Sequence, residues 1–341
     1  MRLRDYILRR VLLSIPVIIG VLAITFVLAY VVGNPLAIYV NERTPPQAID
    51  QIIRHHGLDQ PLYVQFFLYL RNLVMGDWGW SDTANSYVVD AIRRFFPATI
   101  ELSIVAMIIA VLVGIPLGIV SATRKDQIVD HVTRVIALAG VSMPIFWFAL
   151  MLKYLLYYQF FIWGLPYLPE GGRYSIVTVT YNPVTNFILI DSLITGNLVL
   201  FFDALVHLVM PAACLGYLTL AIITRMMRSS MLEVLKEDYI TLARSKGLRE
   251  RVVIYRHALR NAMIPTVTII GLAFGGLITG AVLTETIFSW PGLGRWAVRS
   301  ILTSDIPSIN AFTLLVAIIF VSANLIVDLI YGALDPRIRY G

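Results

Sequence analysis

Apolar residues fall along this chain in long unbroken blocks, not in the short alternations of a half-buried strand. A helix that crosses a bilayer needs roughly 20 such residues. Six blocks meet that need: Val11–Val32, Leu102–Val120, Val135–Leu152, Leu205–Thr224, Ala262–Thr284 and Ile306–Val327. The third stops at Lys153 and can extend into the aromatic run Tyr154–Trp163, and the fourth holds only His207 as an ionisable group. The first has Arg9 and Arg10 on its flank, as a signal peptide would. Its apolar core exceeds the roughly 7–15 residues of such a signal and no small-residue cleavage site follows, so a retained first helix is expected.

The polar stretches between the blocks have their own pattern. In 33–97, Thr44 and Pro45 begin a helix with Ile49, Ile52 and Ile53 on one face and Gly57 as its stop. A second runs from Pro61 to Gly76 with Phe66, Phe67, Leu70 and Val74 as its apolar face, and a third starts at Asn85 or Ser86 and ends before Pro97. Trp78 and Trp80 sit in a turn-rich loop between them, suited to packing this outer cap at the bilayer interface. Residues Tyr174–Tyr181 alternate as a short strand or hairpin would. Residues 226–261 are polar and helix-forming: Glu233–Ser245 is expected as one helix, Arg249–Asn261 as a second, and Gly247 as the bend between them. Two short helices meeting at a glycine make a compact knob, with small Ala243 beside the bend allowing a partner close approach to the backbone. Prolines lie in or at the ends of five blocks (Pro16, Pro116, Pro144, Pro211, Pro265), and Gly271, Gly275, Gly276 and Gly280 in the fifth predict close helix packing or a pathway-lining face.

Composition agrees with the blocks. The 341 residues are 58% hydrophobic and 14% charged, against about 25% charged in a soluble domain. The mean hydropathy is +0.77. Cys214, the single cysteine, excludes an intrachain disulfide. The net charge of +6 is concentrated. The N-terminus, the loop after the second block, 225–260 and the tail carry most Lys and Arg, and six spans put all four on one side. Basic loops stay cytoplasmic, so both termini are expected inside, with no nucleic acid implied.

Chemistry is sparse. There is no phosphate-binding Gly-x-x-x-x-Gly-Lys-Ser/Thr loop, no Gly-x-Ser-x-Gly, no His-Glu-x-x-His and no Cys-x-x-Cys. His55 and His56 are adjacent and point to different faces, better placed to stabilise a helix C-terminus than to hold a metal. Glu101, Lys153, His207 and Asp328 lie near the blocks, mostly at their ends. A carrier driven by protons or sodium places acids deep in its bundle, and a membrane enzyme needs a nucleophile and base. Neither pattern is present, so no catalytic residue, cofactor or metal is expected.

Ala243 and Gly247, followed by His257-Ala-Leu-Arg-Asn-Ala-Met-Ile-Pro265, resemble the cytoplasmic coupling loop of ABC importer permeases. The loop's usual Glu-Ala-Ala triplet reads Glu237-Asp238-Tyr239 here. Gly57–Leu62, Gly76–Ser81, Leu283–Trp296 and Asp335–Arg339 extend the likeness over nearly the whole chain, to B-type subunits of dipeptide and oligopeptide permeases. The resemblance implies an all-α, six-span permease fold with a large extracytoplasmic loop after the first span. It implies an outer-cap unit 1–97, a permease core 98–333 with its coupling loop at 226–261, and a cytoplasmic tail 334–341. It also implies partners: a C-type permease as heterodimer, two ATPase subunits, an extracytoplasmic solute-binding protein and the cell-membrane bilayer. Glu237, Ala243, Gly247 and Arg260 are then the coupling residues. Trp78, Trp80, Glu285 and Trp290 are the outer gate or binding-protein contacts. Relatives in the family carry peptides, nickel, glutathione or oligosaccharides, so fold alone does not name the solute. A secondary transporter or channel working without an ATPase is the alternative from another class.

Overall fold

The computed structural model describes residues 3–32, 36, 45–175 and 180–334, with side chains from 12 onward except those of 32, 46 and 327–334. Six helical stretches are long and apolar enough to cross a membrane, as the blocks predict. They are Leu12–Val31, Val88–Thr123, Ile145–Ile162, Leu198–Val234, Glu250–Ile287 and Ile306–Ile326.

Helix α1 (Leu3–Phe26) continues as a π-helical stretch, Val27–Val32. The segment expected as an outer cap follows. Helix α2 (Pro46–His56) ends at Gly57 and α3 (Leu62–Met75) at Gly76, both in the left-handed conformation that caps a helix. These stops match the sequence expectation; Thr44 lies outside the described residues. The buried face of α3 matches only in part, at Phe66 and half-buried Leu70. Phe67 and Val74 are exposed, while Phe66 and Tyr69 pack on Phe26 with ring centroids 5.2 and 5.9 Å away. The neighbour that sets the inward face is the end of α1, which period alone does not identify.

Strands β1 (Trp80–Ser81) and β2 (Ser86–Tyr87) form a small antiparallel pair, with Trp80 opposite Tyr87 and Ser81 opposite Ser86. The helix expected to end before Pro97 instead runs through it as α4 (Val88–Thr123). The carbonyl that Pro97 frees belongs to exposed Arg93, where water can satisfy it. The boundary expected at 97/98 therefore falls inside one helix.

Helices α5 (Ile128–Ser142) and α6 (Ile145–Lys153) are separated at Met143–Pro144. The third span is thus α6, a π-helical stretch Tyr154–Gln159 and α7 (Phe160–Ile162), not Val135–Leu152. Proline disfavours helical geometry in the residue before it, and Met143 is extended at ψ 129°. The second outer loop leads to α8 (Ile188–Ile194). Of the expected strand, 176–179 lie outside the described residues; Tyr174 and Tyr181 meet edge to face at 5.6 Å.

Helix α9 (Leu198–Val234) is the central element, and its 37 residues make about 55 Å of helix. Its crossing with α4 is set by glycines. A Cβ on Gly216 would lie 2.7 Å from the Ala106 carbonyl oxygen, and one on Gly118 would lie 2.6 Å from Met227 Cβ. Of the expected close packing in the fifth block, Gly275 shows it, with a Cβ there 3.1 Å from Ala323 Cβ, whereas Gly276 and Gly280 have nothing within 4 Å. Helix α10 (Asp238–Ser245) is followed by α11 (Glu250–Val252), a π-helical stretch Val253–Ala258 and α12 (Leu259–Ile287). Helix α13 (Leu293–Leu302) packs on α12 and α14 (Ile306–Leu334), and α14 packs in turn on α1 and α12. The tail 335–341 lies outside the described residues.

Candidate coupling and outer-gate sites

The coupling loop is more compact than the sequence implies. The expected helix Glu233–Ser245 is broken, because α9 keeps 233–234 and α10 starts at Asp238 with Glu237 exposed at its N-cap. The expected second helix, Arg249–Asn261, is not separate; it is the first part of the long stretch Glu250–Ile287 that becomes the fifth span. Helix α10 folds back against this stretch. Ile240 and Ala243 are buried with Met227, Met231, Val253, Ala258 and Ala262. Burying an isoleucine is worth about 1.5–3 kcal/mol.

Ala243 therefore faces the protein's own core, at 6% exposure, and does not open the backbone to a partner. Gly247 fits the expectation better. Its φ is +75°, and a Cβ there would meet nothing within 4 Å. Glycine is needed at this bend for its backbone conformation, not for space. Arg244 and Glu250 clamp the two sides of the bend at 2.7 and 3.2 Å. Both side chains are about half exposed, so the pair contributes roughly 0.2–1 kcal/mol and mainly orients the turn. Asn261 Nδ2 donates to Tyr239 Oη at 2.7 Å, tying α10 to the fifth span. Arg260 is exposed beside it.

Sequence reasoning missed the apolar surface of this knob. Tyr239, Leu242, Leu248 and Tyr255 are all exposed around the bend. Their signal was present: Leu242 lies one position from Ala243 and so falls on the opposite side of α10 from the buried pair.

At the other end of the bundle, the expected contact residues separate into two groups. Trp80 is 43% exposed and Trp78 is half-buried, its Nε1 donating to the Leu73 carbonyl at 3.1 Å. Glu285 and Trp290 are both fully buried, so neither presents a surface to a partner. Glu285 accepts from Thr99 Oγ1 at 2.6 Å and from the Arg295 amide at 3.0 Å. Trp290 Nε1 donates to the Ala98 carbonyl at 2.9 Å. Together they fasten the α12–α13 turn to α4.

Two further polar anchors hold the outer loops. Arg173 reaches from the second loop to Glu101 on α4 at 2.5 Å, and both are buried. Ser81 Oγ and Ser308 Oγ each donate to Asp305 Oδ2 at 2.7 Å, pinning the β1–β2 turn on the start of α14. Asp191 gathers donors from Tyr181, Val184, Thr185 and Asn186. Burial pushes its carboxyl pKa up, but the hydrogen bonds, led by those from Thr185, outweigh this and hold it below the ordinary value. These partners lie far apart in sequence or in irregular loop, where periodicity gives no signal. Among the described residues no group of three or more His, Cys, Asp or Glu side chains could hold a metal.

Comparison with known proteins adds the lineage. Residues 114–340 match the binding-protein-dependent transport system inner membrane component family, and 3–103 match the N-terminal part of the same membrane components. The chain is 45% identical over 340 residues to the dipeptide transport system permease protein DppB of Escherichia coli K12, covering 98% of this chain and 99% of that protein. It is 44% identical over 326 residues to the probable D,D-dipeptide transport system permease protein DdpB of the same strain, covering 95% and 94%. It is 36% identical over 337 residues to the oligopeptide transport system permease protein AppB of Bacillus subtilis, covering 98% and 99%. With six apolar helices and this match over most of its length, the chain is a multi-pass membrane protein and belongs to the family of binding-protein-dependent transport system inner membrane components, the permeases of ABC importers.

Proposed function

We propose that this chain is the B-type half of a peptide-importing permease in the cell membrane, with both termini cytoplasmic. It pairs with a C-type permease, receives di- or oligopeptides from an extracytoplasmic binding protein, and is driven by two separate ATPase subunits. The observation that carries the reading is the Gly247 bend with its exposed apolar rim, joined without interruption to the fifth span. An ATPase surface that moved this knob would move that span directly. Gly247, Leu242, Leu248 and Arg260 form the docking surface, Glu237 flanks it, and Ala243 supports it from within. Trp80 and the outer cap meet the binding protein. The peptide class rests on the names of the similar permeases.

The test is uptake of a radiolabelled dipeptide by proteoliposomes holding this chain with, and without, the C-type permease, ATPases and binding protein. ATP-dependent uptake by the complete set alone supports the reading. Uptake by the isolated chain, or ATP-driven uptake of an oligosaccharide but not of any peptide, defeats it.

A further inference from the structure

At the end of the bundle that carries the coupling bend, α4, α5 and α9 border an open cavity of about 790 Å³. One side is cationic, with Arg134, Arg225 and Arg228, and carries His131 beside them; another is apolar, with Val135 and Leu138. Arg134 and Arg228 there share the carboxylate of Asp130, with exposed Asp126 near Arg228 but paired to Lys125. Asp130 is fully buried and takes both arms of Arg228 at 2.8 Å, Ser121 Oγ at 2.6 Å and the Asp126 amide at 3.0 Å. The Arg228 guanidinium holds its carboxyl well below the usual carboxylate range. Asp130 is thus spent on Arg228. Arg134 is half exposed and lies 3.7 Å from the same carboxylate, with its Nη2 on His131 Nδ1 at 2.6 Å. Arg225 is exposed and has no carboxylate in ion-pair range among the described residues.

Depth selects the ligand. The apolar run of α9 ends at Thr224, and Arg225 is the first charge beyond it; Ser121 lies within one turn of the end of α4. The cationic wall therefore stands at the level of lipid headgroups. From Val135 and Leu138 an exposed apolar stripe continues along α5 through Val132 and Val141. Surplus positive charge at headgroup depth beside an apolar stripe matches an anionic amphiphile. A peptide fits worse, because its ammonium group would need a free acid and Asp130 is saturated.

We propose that this cavity is a headgroup site for an anionic phospholipid, with Arg134 and Arg225 on the phosphodiester and Val135 and Leu138 beside the first acyl methylenes. The site does not depend on which solute the permease carries. It is tested by native mass spectrometry of the assembled transporter titrated with phosphatidylglycerol or phosphatidylcholine. Arg134→Gln with Arg225→Gln leaves the Arg228–Asp130 pair intact and is expected to weaken phosphatidylglycerol binding about 30-fold, at roughly fivefold per basic residue. Phosphatidylcholine binding stays unchanged, which also reports a folded protein. Arg134→Lys with Arg225→Lys retains most of the affinity. Arg93→Gln with Arg94→Gln, exposed at the opposite end of α4, changes it less than about twofold. Wild-type phosphatidylglycerol affinity in the cavity Gln variant overturns the proposal. So does full displacement of the lipid by millimolar inorganic phosphate, which would make this a free-anion pocket. Unchanged lipid binding with lost peptide uptake would assign the cavity to the solute route instead.

Discussion

A β-branched side chain at Gly247 would have to adopt φ +75°, a conformation that costs such residues about 1–3 kcal/mol. Since no atom lies within 4 Å of the added Cβ, the cost is local and does not spread into the core. Gly247→Val is therefore expected to reach the membrane in wild-type amount, to bind the ATPase subunits weakly in a pull-down, and to lose ATP-driven uptake. Wild-type docking and transport would make this bend an ordinary connector. Gly247 was readable from sequence because a glycine between two polar helical stretches leaves few roles to choose from. Ala243 was readable as small but not as inward-facing, since its core is contributed by Met227 and Val253 from other elements. Glu285 and Trp290 were placed by the resemblance at an outer gate or binding-protein contact, and their burial was not legible. Their true partners, Thr99 and Ala98, are 186 and 192 positions away, beyond any local pattern.

The apolar blocks gave the number and order of the spans, yet they misplaced the third and misjudged helix ends, for one physical reason. Hydropathy marks where the bilayer lies, whereas a helix stops only where its backbone is interrupted. Hence α4 and α9 extend well past their apolar runs, and the fifth span begins at Glu250, while Pro144 divides a block that hydropathy reads as continuous. The tightest helix pair was also missed. Gly114 and Gly118 form only a single four-residue pair in α4 and Gly216 stands alone in α9, without the longer spaced series that drew attention to α12. The two kinds of glycine make a direct comparison. Gly216→Leu must force α9 away from the Ala106 carbonyl, an overpacking worth more than about 3 kcal/mol, and is expected to lower membrane abundance and thermal stability sharply. The Cβ of Gly276→Leu meets nothing within 4 Å, and this variant should melt close to wild type. Equal melting temperatures for the two variants would show that the α4–α9 crossing tolerates separation.

For the molecule as a whole, the uneven placement of Lys and Arg sets the expected orientation. With Cys214, which is buried and unreactive toward impermeant reagents, replaced by alanine, a cysteine introduced at Asp82 should be labelled from outside intact cells. One introduced at Lys246 should be labelled only after the membrane is opened. Labelling of both from the same side would overturn the six-span topology. The number of spans and their order follow from composition and block length. The fastening of the outer loops through Arg173–Glu101 and Ser81–Asp305 does not, because it depends on which loop residues meet once the bundle has formed.

The glycine-seated crossing of α4 and α9 has a bearing on movement. Two helices whose backbones touch through missing side chains have no clearance for one to slide past the other by a helical turn. They are expected to move as one body through a transport cycle. Looser packing lies on the side of α12 where a Cβ on Gly276 or Gly280 would meet no described atom of the chain within 4 Å, and movement of one helix against another is expected there.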